Sequence, residues 1–315
     1  MSALEFLTAS RVLIVAGKGG VGKTTLGATL GLAAARLGLS VALIELEGHS
    51  TLGRALGAGP LDYRPITIDL EPGWTGRLEA RRITPDEALA EYLGDSGLRR
   101  VATRLIKTGA IDVVATAAPG IRDLLALGKI RQLEERGGTD LIVVDAPGSG
   151  HAITFLRSAA GIADSSPSGP LRDQADLVLA LLADERRCQT MLITLPEETP
   201  INEVVETAFS LEDQVGVKLA PVVINGCWPS IDGLEASVTA KRPTWRSTSP
   251  EAWDAAVFRL QQIEQQTTEC RRLAAELPLP QLRLPHQFTT RIERPHLLDL
   301  VDHLMDQLDT IGSAA

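Results

Sequence analysis

Residues 17–24 read Gly-Lys-Gly-Gly-Val-Gly-Lys-Thr. The octet fits the phosphate-loop pattern GxxxxGK[ST], in which small residues let backbone N–H groups close around phosphate oxygens. Glycines 17, 19, 20 and 22 supply that freedom, the Lys23 ammonium is expected to reach β- and γ-phosphates, and the Thr24 hydroxyl to ligate Mg²⁺. The binding set expected from this segment is Gly17, Lys18, Gly19, Gly20, Val21, Gly22, Lys23, Thr24 and Thr25. A second piece of the same chemistry is Leu141-Ile142-Val143-Val144-Asp145, four apolar residues ending in a carboxylate. Asp145 is expected to orient the Mg²⁺ of a nucleoside triphosphate, through a water. The Gly/Pro-rich run that follows, Ala146 to His151, can change shape when a γ-phosphate is lost, with His151 as a switch-loop contact rather than a metal ligand.

These side chains need rigid elements behind them. Arg11 to Ala16 (RVLIVA) is a short β-branched run that predicts a buried strand, and Thr24 to Leu37 is Ala/Leu-rich and predicts a helix. A glycine loop between strand and helix is the context the motif requires, and the helix N-terminus adds partial positive charge. Leu141–Asp145 predicts a parallel strand buried on both faces, with its ligand-bearing end at the carboxyl edge of the sheet. Thr84-Pro85-Asp86-Glu87 predicts a capped helix start, and 98–136 is largely helical in pattern, interrupted at Pro119-Gly120. Further expectations are a helix over 170–184, strands over 190–195 and 219–224, a loop over 226–249, a helix over 250–277 and a final helix over 295–308.

Lys18, directly after the first glycine, narrows the class. KGGVGKT resembles the KGGxGKT signature of the deviant phosphate-loop ATPases. Within that class three stretches are similar to segments of the arsenite-pump (ArsA) and tail-anchored-protein-targeting ATPases: DAPGSGHAITFL, APGIRDLLALGKI (118–130) and LPEETPINE. The single phosphate loop matches the bacterial, unduplicated form. The resemblance implies an α/β fold, a doubly wound and mostly parallel sheet flanked by helices. It implies one ATPase domain over 1–315, with an inserted helical subdomain at about 84–136. ATP and Mg²⁺ are the implied ligands. Lys18 would cross a dimer interface to the partner's nucleotide, where its charge would act on the phosphoryl-transfer transition state; a solvated loop lysine is the alternative. The partner would be a second copy or a paralogous ATPase, and the helical subdomain would take a hydrophobic client. Asn225 would contact the adenine base, or else be an ordinary turn residue.

One departure from the family pattern bears on catalysis. Family members carry a segment like DPAHSLSDAFG after strand two, whose aspartate orients the attacking water. Laid over it, this chain reads Glu47-Gly-His-Ser-Thr-Leu-Gly-Arg-Ala-Leu-Gly57. Glu47 keeps the charge but moves the carboxylate by a methylene, and water positioning is sensitive to fractions of an ångström. Glu47 is therefore either the catalytic carboxylate or a holder of switch residues. Glu45, nearer the strand, is the poorer candidate.

Composition removes other classes. The chain has 315 residues, 44% hydrophobic and 3% aromatic, which suits a helix-rich α/β protein better than a sandwich. Net charge is −9 with no basic block, so nucleic acid is not expected as a partner. No stretch is long and apolar enough for stable membrane insertion, and the tail LLDLVDHLMDQLDTIG lacks the basic face of a surface-seeking helix. These points count against the partition and septum-site relatives. The N-terminus lacks the features of a signal peptide, and Cys188, Cys227 and Cys270 form neither CxxC nor a disulfide framework, so a cytoplasmic location is expected.

Overall fold

The computed structural model describes residues 2–46, 51–95, 120–147, 149–240 and 245–314. The apolar run Val12–Ala16 forms strand β1, buried along its whole length because strands flank it on both sides and helices cover both faces. The other strands are β2 (Ser40–Glu45), β3 (Ile66–Thr67), β4 (Arg77–Arg82), β5 (Leu141–Asp145), β6 (Cys188–Thr194), β7 (Lys218–Leu219), β8 (Val222–Cys227) and β9 (Gln281–Pro285). Among the described residues they make one nine-stranded sheet in the order β3-β4-β2-β5-β1-β6-β8-β9, with β7 beside β6. Every pairing is parallel except β3 with β4. The chain is thus doubly wound: β1 leads left to β2 past β5, and β5 leads right to β6 past β1.

Parallel pairing puts the carboxyl ends of the central strands on one edge, where ligands bind in such sheets. The register is flush there. Val15 and Glu45 both pair with Asp145, Glu45 also pairs with Arg82, and Ala16 pairs with Leu192. Alternate residues of each strand feed two cores. One face collects Val12, Ile14, Ile142 and Val144 under the helices Ile121–Arg136, Ser149–Ser165, Pro170–Ala183 and Glu198–Val215. The other collects Leu13, Val15, Leu43 and Val143 under the helix Lys23–Arg36 and the C-terminal helix Arg294–Ala314. Helix Lys23–Arg36 approaches the sheet through glycines. A Cβ on Gly31 would lie 2.7 Å from Leu43 Cδ2, so β2 and this helix meet at closer than side-chain distance.

Several boundaries differ from the sequence reading. The sequence reading assigns no element to Arg77–Arg82, which is a strand whose Leu78 and Ala80 point into the core. The expected strand 219–224 is split into β7 and β8, and β8 continues through Asn225 to Cys227. The 226–249 stretch contains the short helices Leu234–Thr239 and Trp245–Thr248. The last helix extends to Ala314. Of the expected inserted subdomain, the helices Pro85–Asp95 and Ile121–Arg136 are described, and the stretch between them, residues 96–119, lies outside the described residues. No helix among the described residues is long and apolar enough to cross a membrane.

The Gly31 contact yields a coupling test. Gly31→Ala overpacks the interface and should cost about 1–3 kcal/mol in urea unfolding, and Leu43→Ala alone about 2–5 kcal/mol. The double variant should lose less than the sum, because the truncated leucine makes room for the new methyl; strict additivity would show that the two positions do not meet.

Candidate nucleotide site

The turn between β1 and helix Lys23–Arg36 is held open by its glycines. Gly20 and Gly22 have φ of +86° and +101°, the left-handed region that side chains avoid. At Gly17 a Cβ would lie 2.4 Å from the Ile193 carbonyl oxygen. Val21 anchors the middle of the loop in the core, at 2% exposure. Gly22 is the N-cap and no side chain caps the helix, so its first amides remain available to an anion.

The expected side chains converge on this turn. Lys23 Nζ donates to the Lys18 carbonyl at 3.1 Å, which folds its ammonium over the loop. Thr24 Oγ1 donates to Asp145 Oδ2 at 2.6 Å, tying the helix start to the end of β5. Asp145 Oδ1 is buried and has no hydrogen-bond partner. Thr25 sits in the first turn, where its carbonyl accepts from Thr29 Oγ1 at 2.8 Å. Asn225 reaches the loop from β8: its Nδ2 donates to the Val21 carbonyl at 2.8 Å, and lies 2.3 Å from where a Gly22 Cβ would be. Asn225 is thus a clamp on the loop backbone. Lys18 extends away from the turn and pairs with Glu203 on helix Glu198–Val215. Glu47 and the side chain of His151 lie outside the described residues.

Two acidic groups here have partners that the sequence reading did not assign. Glu45, the last residue of β2, is 1% exposed and its Oε2 sits 3.3 Å from Arg82 Nε. The strand register places it beside Asp145, so Arg82, Glu45, Asp145 and then Lys23 form a row of charged groups along the sheet edge, bounded by a cation at each end. Continuing the Val41, Leu43 alternation by one step would have put Glu45 on this face. Glu203 closes the family-like LPEETPINE stretch, but its pairing with Lys18, 185 residues away, has no local signal.

The donor set suits Mg²⁺. A hydroxyl and a buried carboxylate oxygen lacking a partner are hard ligands on rigid elements, and Mg²⁺ takes one or two such groups plus phosphate and water rather than a full protein cage. No cluster of three or more His, Cys, Asp or Glu able to hold a metal occurs among the described residues.

A family model described as anion-transporting ATPase (ArsA ATPase) matches residues 10–163. The ATPase BagA of Mycobacterium tuberculosis is 34% identical over 229 residues, covering 70% of this chain and 66% of that protein. The chain belongs to the ArsA ATPase family. A putative arsenical pump-driving ATPase of Halobacterium salinarum is 27% identical over 251 residues, 74% of this chain and 38% of its own length. The ATPase get3 of Schizosaccharomyces japonicus is 29% identical over 149 residues, 47% of this chain and 44% of its own length. The chain therefore spans less than two thirds of these relatives' lengths. The ArsA family match contains the glycine loop, Glu45 and Asp145, and ends before Glu203 and Asn225.

Burial sets the electrostatics of this ArsA-family site. Desolvation pushes the Asp145 carboxyl up to about 6; the Thr24 hydrogen bond and the Lys23 charge pull it down, and Glu45 adds to the rise. Desolvation also lowers the Lys23 ammonium, with Asp145 opposing. Between about pH 4 and pH 6 the folded protein keeps a proton on Asp145 that the unfolded chain has released, so stability falls as pH rises through that window and stays lower above it. The ionised group costs roughly 2–3 kcal/mol at neutral pH. Asp145→Asn keeps an acceptor for Thr24 without the charge. Thermal unfolding should show a higher Tm than wild type at pH 7–8 and a flatter profile between about pH 4 and pH 6; a lower Tm at neutral pH would mean that the carboxylate is stabilising instead.

Proposed function

We propose that the protein is a Mg²⁺-dependent ATP hydrolase that works as a dimer and couples nucleotide turnover to binding of a hydrophobic client. The observation that carries this reading is the Thr24–Asp145 hydrogen bond beneath the glycine loop, with the second Asp145 oxygen buried and unpartnered. In this reading the loop amides and Lys23 take the β- and γ-phosphates, and Thr24 and Asp145 hold the cation. Bound Mg²⁺ would draw charge from the phosphate oxygens as the γ-phosphoryl group departs. Val21 and Gly22, fixed by Asn225, keep the cradle in register, which favours attack geometry over loop fluctuation. Glu47 would orient the attacking water, and Lys18 would complete a partner's site. The helical subdomain at about 84–136 would carry the client surface, and a cytoplasmic location belongs to the same proposal.

A second reading is a nucleotide-binding subunit whose paralogous partner supplies the water-orienting aspartate. Glu47, standing where the family pattern has aspartate, favours it. Single-turnover measurements separate the two: the first requires phosphate release from the pure chain with ATP and Mg²⁺, the second requires binding without release until a partner is added.

Within the first reading, Lys23→Ala should abolish ATP binding or turnover. Lys18→Ala should retain binding and slow hydrolysis, and turnover at the wild-type rate would remove the role of that lysine. Glu47→Gln should bind ATP and release phosphate slowly; a wild-type rate would reassign Glu47 to a structural part.

A further inference from the structure

Lys18 is the residue that the dimer reading sends to another subunit, yet in this structure it is engaged at home. Its carbonyl accepts from Lys23, and its ammonium pairs with Glu203. Glu203 stands on the face of helix Glu198–Val215 turned toward the loop: Pro200, Glu203, Val204 and Thr207, at helical spacing, line a small cleft with Gly17 and Lys18. That helix follows directly on β6, whose Ile193 carbonyl crowds Gly17, so the glutamate is referenced to the loop through backbone. The carboxylate is poorly provided for without the lysine. Oε1 takes Lys18, and Oε2 is buried with no partner. Removing the ammonium would leave a half-sunk charge with nothing to answer it. Both side chains are partly open to solvent, so the pair is a weak bias and not a permanent lock.

We propose that Glu203 is a positioning residue for Lys18: the intrachain pair retains the lysine in its own subunit, and must break before Lys18 serves a partner's nucleotide. The inference rests on the dimer reading for its consequence, but the pair itself does not. Association of two subunits then competes with two intrachain pairs. Each biases the equilibrium by up to about fivefold, which multiplies across the dimer to roughly twenty-five-fold. Glu203 would thereby set the protein concentration at which turnover begins, and would act through Lys18 without touching substrate.

The test uses the full-length chain as wild type, Glu203→Gln and Glu203→Asp. The first readout is the rate at which an N-hydroxysuccinimide acetate labels Lys18 in dilute, nucleotide-free protein, followed by peptide mass spectrometry, with exposed Lys218 as internal reference. Glu203→Gln should label Lys18 several-fold faster relative to Lys218, and Glu203→Asp should stay near wild type. The second is the protein concentration giving half-maximal ATP turnover, expected to fall about threefold to twenty-five-fold in Glu203→Gln and to be restored in Glu203→Asp. Equal labelling in wild type and Glu203→Gln would overturn the pair whatever the oligomeric state. Faster labelling with an unchanged or raised midpoint would overturn its control of association while leaving the dimer intact. Wild-type specific activity independent of concentration, with only monomer in sedimentation, would bring down the dimer reading and this consequence with it, and the labelling result would still report on the pair.

Discussion

The hydrogen bond from Thr24 to Asp145 joins the two halves of the site, and the rest of the architecture can be read as what keeps its ends 2.6 Å apart. Thr24 belongs to the helix that leaves β1, and Asp145 ends the neighbouring strand. Neither side chain is long, so their meeting requires β1 and β5 to be adjacent, parallel and in register. Hydrophobic burial on both faces enforces that: every residue of the two strands is buried, and the alternation of Val12, Ile14 against Leu13, Val15 gives each face a core of its own. A slip of one residue would turn both apolar sets and move the carboxylate off the edge.

The same constraint explains the charge at the sheet edge. Burying carboxylates is costly unless each is paired, and here the register supplies the compensation in order, with Arg82 against Glu45 and Lys23 near Asp145. Asp145 remains only partly compensated, which is why its carboxyl is raised. Such a group is unfavourable for stability and favourable for a cation, so fold and ligand site pull on this one residue in opposite directions.

How much of this the sequence discloses depends on the range of the physics involved. The loop is legible because glycine at 20 and 22 answers to local backbone demands, whereas the demand at Gly17 comes from the Ile193 carbonyl of a neighbouring strand. Asp145 is legible because a continuous apolar run buries a strand on both faces, and a carboxylate closing that run falls at the edge where ligands sit. β4 is less so: its arginines and Glu79 outnumber the inward Leu78 and Ala80, and the period-two signal rests on those two. Asn225 is found by resemblance but not its contact, since the Val21 carbonyl is 204 residues distant. Glu203 falls in the family-like LPEETPINE stretch, but nothing local names its partner. Helical spacing gives its face, and only the assembled sheet says that the face looks at Lys18.

Gly31 has a meaning beyond packing density. With no side chain at that point, the phosphate-loop helix rests on Leu43, and two residues further along the same strand stands Glu45. The tip of β2 and the lysine at the helix start are therefore gauged from one fixed shim. In-line displacement tolerates misplacement of well under an ångström, so a single added methyl there, shifting the strand tip by tenths of an ångström, would be felt by the chemistry more sharply than by the fold.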